Sequence, residues 1–174
     1  MTIQSPKSRF VAAAAVTLLA LAGCSGGQSD GPRPYNQSDL NCMERAIFFE
    51  ANRSSRAGMI AVGSVVMNRV ESDQYPDTVC GVVGQKGQFA PGVLTRPMNS
   101  KALPDVREAA IAVLRGERQP RVENAMFFHT NGYTFPYDNM HYVLVAGGNA
   151  FYEKRKSHLV TQRVPPPPIE RGRR

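Results

Sequence analysis

A glutamate stands on the apolar face of the first patterned segment, where it could serve acid chemistry. At 3.6 residues per turn, residues 38–51 place Leu40, Met43 and Ile47 along one face, and Glu50 lies in the middle of that face. Burial of an unpaired carboxyl group disfavours its charged form and raises its pKa. Such a group keeps its proton near neutral pH, as a general acid must.

The same pattern allows a second interpretation, in which Glu50 forms a structural ion pair with Arg53 or Arg69. The helical pattern alone does not choose between the two. Glu44 and Arg45 lie away from the centre of the apolar face, so we expect them to be exposed charges.

The segments around Glu50 predict helices first and strands afterwards. Ser38 or Asp39 is expected to cap the first helix, and the later helices are expected over residues 57–70, 78–85 and 105–115. The segment over residues 57–70 is apolar on nearly every side, which predicts a helix buried all round. Short aromatic or β-branched runs predict strands over residues 125–129 and 141–145. This order predicts an α+β fold with a small antiparallel sheet.

Both ends of the chain differ from its middle in amino-acid composition. Residues 1–24 contain two basic residues and then a 12-residue apolar run, which predicts an export signal. That run is too short to cross a bilayer, which needs about 20 residues. Residues 25–37 predict a flexible tether, and residues 159–174 predict a Pro-rich, basic, disordered tail. The folded catalytic unit is therefore expected over residues 38–158.

The signal ends in Leu21-Ala22-Gly23-Cys24, which resembles the lipobox of bacterial lipoproteins. By that resemblance Cys24 would be lipidated and would anchor the chain to a membrane, on the periplasmic side of the envelope. No Asp follows Cys24, which favours the outer membrane. The alternative is an ordinary cleaved signal that happens to precede a cysteine.

Cys42 and Cys80 then remain as an even pair in an oxidising compartment, which predicts one disulfide. A rival interpretation makes Cys42 or Cys80 the nucleophile of a papain-like amidase or endopeptidase, with His129 as its base. It is disfavoured because Cys42 lies within an apolar helix and a disulfide would consume both thiols.

Charge and ligand spacing argue against several classes of function. The chain carries a formal charge of +7, but residues 36–158 hold 14 basic and 12 acidic side chains. The excess lies mainly in the flanks, so we expect no nucleic-acid groove. The three histidines lack the spacing of metal ligands, and no glycine-rich phosphate loop occurs. We expect no metal and no cofactor.

Seven short phrases follow one another in order between residues 40 and 153. They are AIFFEA (46–51), GMIAVG (58–63), VMNRV (66–70), YPDTVCGVV (75–83), GQF (87–89), AMFFH (125–129) and FY (151–152). Together they resemble the SleB-type cell-wall hydrolase family, which includes the spore-cortex lytic transglycosylases. The resemblance implies a lysozyme-like or lytic-transglycosylase-like small domain that cleaves the glycan strands of peptidoglycan.

The resemblance also implies roles for particular residues. The glutamate of the family's first phrase is the catalytic acid, which corresponds to Glu50, and Gln88 and Phe89 are expected to line the glycan groove. His129 and Tyr152 are candidate contacts to the sugar. Three of these residues have an equally open structural interpretation. Phe89 and Tyr152 could be core aromatics, and His129 could be a hydrogen-bonded structural histidine.

A single carboxylate favours a lytic transglycosylase, which makes 1,6-anhydro-muramyl ends without consuming water. Hydrolases usually need a second carboxylate at a fixed separation. None is obvious, because Glu71, Asp73 and Asp77 lie in a solvated turn. The alternatives are a muramidase that uses water, or an envelope lipoprotein that binds peptidoglycan with little or no catalysis.

Several positions depart from the family pattern. Asn52, Arg53 and Ser54 replace the usual Arg-Gly-Glu, so a second acidic residue is missing. The tryptophan that often follows the Gln-Phe phrase is absent, and Asn149 stands where a histidine is common. These departures are expected to alter substrate contacts or turnover.

Overall fold

The computed structural model describes residues 34–51 and 55–170. Within these residues four α-helices come first, and three strands follow them. The helices are α1 (Gln37–Ala51), α2 (Arg56–Val70), α3 (Val79–Val83) and α4 (Leu103–Leu114). The strands are β1 (Phe127–Thr130), β2 (Met140–Ala146) and β3 (Asn149–Lys154). The predicted α+β fold, with helices before a small antiparallel sheet, is confirmed.

Helix α2 has a sequence that is apolar on nearly every side. It is buried along most of its length, as predicted, and packs against α1 and α4. Ser55 caps its start by accepting a hydrogen bond from the Gly58 N–H at 3.1 Å. A Cβ atom at Gly63 would lie 2.7 Å from Val113 Cγ2 of α4. The close approach of α2 and α4 therefore requires a glycine at this position.

Helix α1 corrects two expectations. Its cap is Asn36, whose Oδ1 accepts a hydrogen bond from the Asp39 N–H at 2.7 Å, so the helix begins before the predicted caps. Glu44 is buried rather than exposed, and its carboxylate pairs with Arg107 of α4 at 2.7 Å. The prediction for Glu44 was wrong because α4 packs against a face of α1 that the hydrophobic periodicity of α1 predicts to be exposed.

The sheet has the order β1-β3-β2, and both pairings are antiparallel. Phe128, Leu144 and Phe151 join the core formed with the helices. Tyr142 and Tyr152 belong to the opposite face of the sheet. Strand β3 was not among the predicted strands, although it is the central one. Among the described residues no helix is long and apolar enough to span a bilayer.

The C-terminal strap, which we define as residues 160–170, corrects the prediction of a disordered tail. The Tyr142 N–H donates to the Gln162 carbonyl at 3.0 Å, and the Ile169 N–H donates to the Val145 carbonyl at 3.1 Å. The strap thus lies along β2, an edge strand whose free backbone groups can take these bonds. The predicted signal, Cys24 and most of the tether lie outside the described residues, as do residues 171–174.

Candidate active site

Glu50 lies in the last turn of α1 and is partly buried. Its Oε1 accepts a hydrogen bond from the Ala90 N–H at 2.7 Å. Burial raises the pKa of the Glu50 carboxyl, and the Ala90 bond offsets part of that rise. Within residues 34–51 and 55–170, no cation forms an ion pair with Glu50. Arg53, one of the two candidate partners, lies outside the described residues.

Arg69, the other candidate partner, is buried elsewhere in the structure. Its Nε donates to the Met126 carbonyl at 2.8 Å. Its guanidinium lies 5.1 Å from the ring centre of Tyr75, 5.5 Å from that of Phe89 and 5.7 Å from that of Phe127. Burial lowers the pKa of Arg69. The side chain therefore joins the end of α2 to β1 and does not pair with Glu50.

Asn149 holds the backbone at Glu50, a role that the sequence analysis missed. Its Nδ2 donates to the Glu50 carbonyl at 3.0 Å, from the first residue of β3. The residue is buried, so this bond is shielded from water. Asn149, which stands where the resembling family commonly has a histidine, thus positions the end of α1. The contact crosses 99 residues of sequence, and no local pattern signals it.

The loop after α3 contains Ala90, whose N–H is the hydrogen-bond partner of Glu50. Phe89 is buried, and its ring centre lies 6.5 Å from that of Phe128 in the core. Its neighbour Gln88 is exposed. Phe89 therefore packs as a core aromatic, and this packing fixes the N–H of Ala90 beneath the Glu50 carboxyl. Ala90 also lines a mostly apolar cavity of about 460 Å³ formed by residues 83–87 and 89–95.

His129 has two hydrogen-bonding partners on the sheet. Its Nδ1 lies 2.9 Å from the Thr130 carbonyl, which can only accept, so Nδ1 carries the proton. Its Nε2 lies 3.0 Å from the Tyr142 hydroxyl. Both ring nitrogens are therefore occupied within the sheet, and neither bonds to Glu50.

Tyr152 stacks on Phe127, with ring centres 5.5 Å apart and planes 23° from parallel. Burial raises the pKa of the Tyr152 hydroxyl. Its ring centre lies 5.8 Å from that of His129. Because Arg69 contacts both Phe89 and Phe127, a continuous set of contacts connects three of the predicted site residues, namely Phe89, Tyr152 and His129.

The predicted disulfide is present between Cys42 of α1 and Cys80 of α3, with Cα atoms 5.2 Å apart. With this bond formed, neither sulfur is a free thiolate, and a papain-like mechanism through Cys42 or Cys80 has no nucleophile. In the described part of the chain, no three His, Cys, Asp or Glu side chains gather as metal ligands.

Five other carboxylates among the described residues are engaged by arginine. Ion pairs hold the five side chains of Glu44, Glu71, Glu108, Glu117 and Glu153. The Glu50 carboxyl has no such ion pair with any described residue, and burial raises its pKa. A proton donor needs this combination of partial exposure and disfavoured charge.

Comparison with known proteins finds a family model described as Cell Wall Hydrolase, which matches residues 53–152. The spore cortex-lytic enzyme of Oceanobacillus iheyensis is 34% identical over 104 residues, covering 55% of this chain and 36% of that protein. The spore cortex-lytic enzyme of Bacillus subtilis is 27% identical over 109 residues, covering 61% of this chain and 34% of that protein. The chain thus spans about a third of the length of these relatives.

Two solved structures share the fold. The catalytic domain of the Bacillus cereus SleB protein has a TM-score of 0.58 at 22% identity, covering 74% of this chain and 99% of that chain. The catalytic domain of the germination-specific lytic transglycosylase SleB from Bacillus anthracis has a TM-score of 0.58 at 23% identity, covering 70% and 99%.

Proposed function

Because the chain belongs to the cell wall hydrolase family, we propose that it cleaves the glycan strands of peptidoglycan. The bond cleaved is the one between N-acetylmuramic acid and N-acetylglucosamine. The observation that carries the proposal is Glu50, a partly buried carboxyl with a raised pKa, held at one oxygen by the Ala90 N–H. Its other oxygen has no hydrogen-bond partner among the described residues and would face the glycosidic oxygen.

In the proposed mechanism one carboxyl group acts twice. Protonated Glu50 donates its proton to the glycosidic oxygen as the bond from that oxygen to C1 of the muramyl residue breaks. The resulting carboxylate then accepts the proton of the C6 hydroxyl of the same muramyl residue, whose oxygen attacks C1. The products are a 1,6-anhydro-muramyl end and a free N-acetylglucosamine hydroxyl, and Glu50 is protonated again.

Two features favour this route over hydrolysis by a muramidase. A muramidase usually has a second carboxylate that acts as a base or a nucleophile. Five of the other described acids are already engaged in ion pairs with arginine. A transglycosylase needs no second carboxylate and no positioned water.

The proposal assigns supporting roles around Glu50. Ala90 and Asn149 hold the side chain and the backbone of Glu50, and exposed Gln88 contacts the glycan beside Ala90. Tyr152 and His129 contact a sugar on the same substrate. We further propose that the chain is exported and anchored through lipidated Cys24 on the periplasmic side of the outer membrane, where peptidoglycan is within reach.

The test is mass spectrometry of the products released from purified peptidoglycan sacculi. The wild-type protein is expected to release anhydro-muramyl products, and Glu50→Gln is expected to lose roughly 10²–10⁴-fold in rate, the usual contribution of general acid–base catalysis. The matched control is Glu108→Gln, which removes a surface carboxylate on α4 and should leave the rate unchanged.

Other outcomes would redirect the assignment. Reducing-end products from the wild-type protein would establish a muramidase and require a second carboxylate. Binding to sacculi without any new glycan ends would favour the non-catalytic alternative. Full activity in Glu50→Gln would reject Glu50 as the acid.

A further inference from the structure

Three exposed aromatic side chains lie within five residues of the loop between β1 and β2. Tyr133 is 66% exposed, Phe135 43% and Tyr137 65%. Phe135 and Tyr137, which we call the aromatic pair, lie 10° from parallel with ring centres 6.1 Å apart. Tyr133 has no ring contact with any described residue. Two adjacent exposed rings such as this pair are typical of a binding site, whereas a single exposed aromatic such as Tyr133 is ordinary protein surface.

The aromatic pair is held in place from beneath. The His129 ring meets the Phe135 ring edge-on, with centres 4.8 Å apart and planes at 72°. His129 is itself fixed by the Thr130 carbonyl and the Tyr142 hydroxyl. The pair therefore presents its rings in a preset orientation, and a ligand that stacks on them would cost little side-chain entropy.

A cavity of about 310 Å³ adjoins the pair and combines apolar and polar groups. It is lined by Tyr137, Asn139, Met140, Tyr152 and Lys154. A sugar ring has an apolar C–H face, which suits an aromatic ring, and polar substituents at its rim, which suit an amide, a phenol hydroxyl and an ammonium group. The Lys154 ammonium also complements the lactyl carboxylate that muramic acid carries in strands without stem peptides.

We propose that the aromatic pair and this cavity bind a sugar residue of the glycan strand outside the linkage that is cleaved; this inference rests on the proposed function. Tyr152 lies three residues along β3 from Asn149, which holds Glu50, a span of about 10 Å at 3.3 Å per residue. The site thus takes a sugar other than the two joined by the glycosidic oxygen that Glu50 protonates. Its contribution is to binding rather than to the chemical step.

The experiment measures binding to peptide-free glycan strands of alternating N-acetylglucosamine and N-acetylmuramic acid, in the Glu50→Gln background to prevent cleavage. Phe135→Ala and Tyr137→Ala are each expected to weaken binding by roughly threefold to tenfold, the usual value of an aromatic stacking contact. Tyr133→Ala is the matched control and should bind as tightly as its parent. Tyr137→Phe keeps the ring and should retain most of the affinity.

Kinetics on sacculi with an otherwise wild-type protein give a second readout. Tyr137→Ala is expected to raise KM by a similar factor and leave kcat unchanged, because the ring does not touch the reacting atoms. Thermal unfolding of Tyr133→Ala and Tyr137→Ala should match the parent, since these two rings are largely exposed.

Three results would overturn the inference: unchanged binding by Tyr137→Ala, an equal loss in Tyr133→Ala, or binding that requires stem peptides. Failure of the proposed function looks different. A wild-type protein that binds glycan strands through Tyr137 but releases no products would reject the activity and support this site.

Discussion

At the scale of single residues, the chemistry depends on how the fold holds one carboxyl group. Glu50 owes its raised pKa first to burial, and the Ala90 N–H bond offsets that rise only in part. A group with a raised pKa in the folded state binds its proton more tightly there than in the unfolded chain. Folding is therefore coupled to the protonation of Glu50.

This coupling predicts that Glu50→Gln is more stable than the wild-type protein at neutral pH. The stability that wild-type Glu50 provides is fully present below the carboxyl pKa of the unfolded chain, about 4.3, and is lost as pH rises through the higher folded pKa. Glutamine keeps an oxygen for the Ala90 N–H and never carries the charge. The gain in melting temperature should therefore grow with pH and vanish in acid.

The measurement is thermal unfolding of both proteins from about pH 4 to about pH 8, a range that brackets ordinary carboxyl pKa values. Glu108→Gln controls for loss of a surface charge. Equal melting temperatures for wild-type and Glu50→Gln at every pH would show that the Glu50 pKa is the same in the folded and unfolded states.

Residue roles could be predicted from sequence only where they depend on local spacing. The position of Glu50 on the apolar face of α1 follows from helical periodicity, and the structure indeed buries it in part. The roles of Asn149 and Glu44 could not be predicted in this way. Each depends on a contact with a distant element, β3 to α1 for Asn149 and α4 to α1 for Glu44.

At the scale of elements, the helices that carry the site are joined covalently as well as by packing. The disulfide between Cys42 and Cys80 ties α1, which carries Glu50, to α3. The loop that holds the Glu50 side chain through Ala90 follows α3 directly. The bond thus limits the relative motion of the two segments that meet at the carboxyl group.

Removing this disulfide is expected to destabilise the protein by about 4 kcal/mol. The chain-entropy model gives this value for a loop that spans 38 residues of sequence. The comparison is thermal or denaturant unfolding of the wild-type protein and a Cys42→Ala/Cys80→Ala variant. Adding a reductant should lower the stability of the wild-type protein and leave the variant unchanged. A variant as stable as the oxidised wild type would show that α1 and α3 are held by packing alone.

Helices and strands could be predicted from the sequence where their own residues carry a clear hydrophobic pattern. Helix α2 is apolar all round and was predicted within one residue of its start. Strand β3 was not predicted, although Gly147 and Gly148 form the turn that joins it to β2. Its place depends on pairing with β1 on one side and β2 on the other, and no local pattern records these partners.

At the scale of the whole molecule, the C-terminal strap connects parts of the chain that are far apart in sequence. Its end, Glu170, accepts hydrogen bonds from the Gly147 N–H at 3.0 Å and from the Ser55 hydroxyl. Gly147 lies two residues before Asn149, and Ser55 caps α2 just after the segment that follows Glu50. The tail was predicted to be disordered because its prolines lack apolar periodicity, yet proline suits the outside of an edge strand, where no N–H is needed.

If the contacts of the C-terminal strap stabilise the fold, removing them should lower the free energy of unfolding. Glu170→Ala removes the acceptor of two hydrogen bonds, at the turn before β3 and at the cap of α2. Each hydrogen bond to a charged group contributes about 1.5–3 kcal/mol, so loss of the two should lower the free energy of unfolding by about 3 kcal/mol or more. Glu170→Gln keeps an acceptor and should lose less. Denaturant unfolding measures both changes, and limited proteolysis should show earlier cleavage within residues 160–170 of Glu170→Ala. If Glu170→Ala instead matched the wild type in stability and in resistance to cleavage, the strap would have to be held by its backbone bonds to β2 alone.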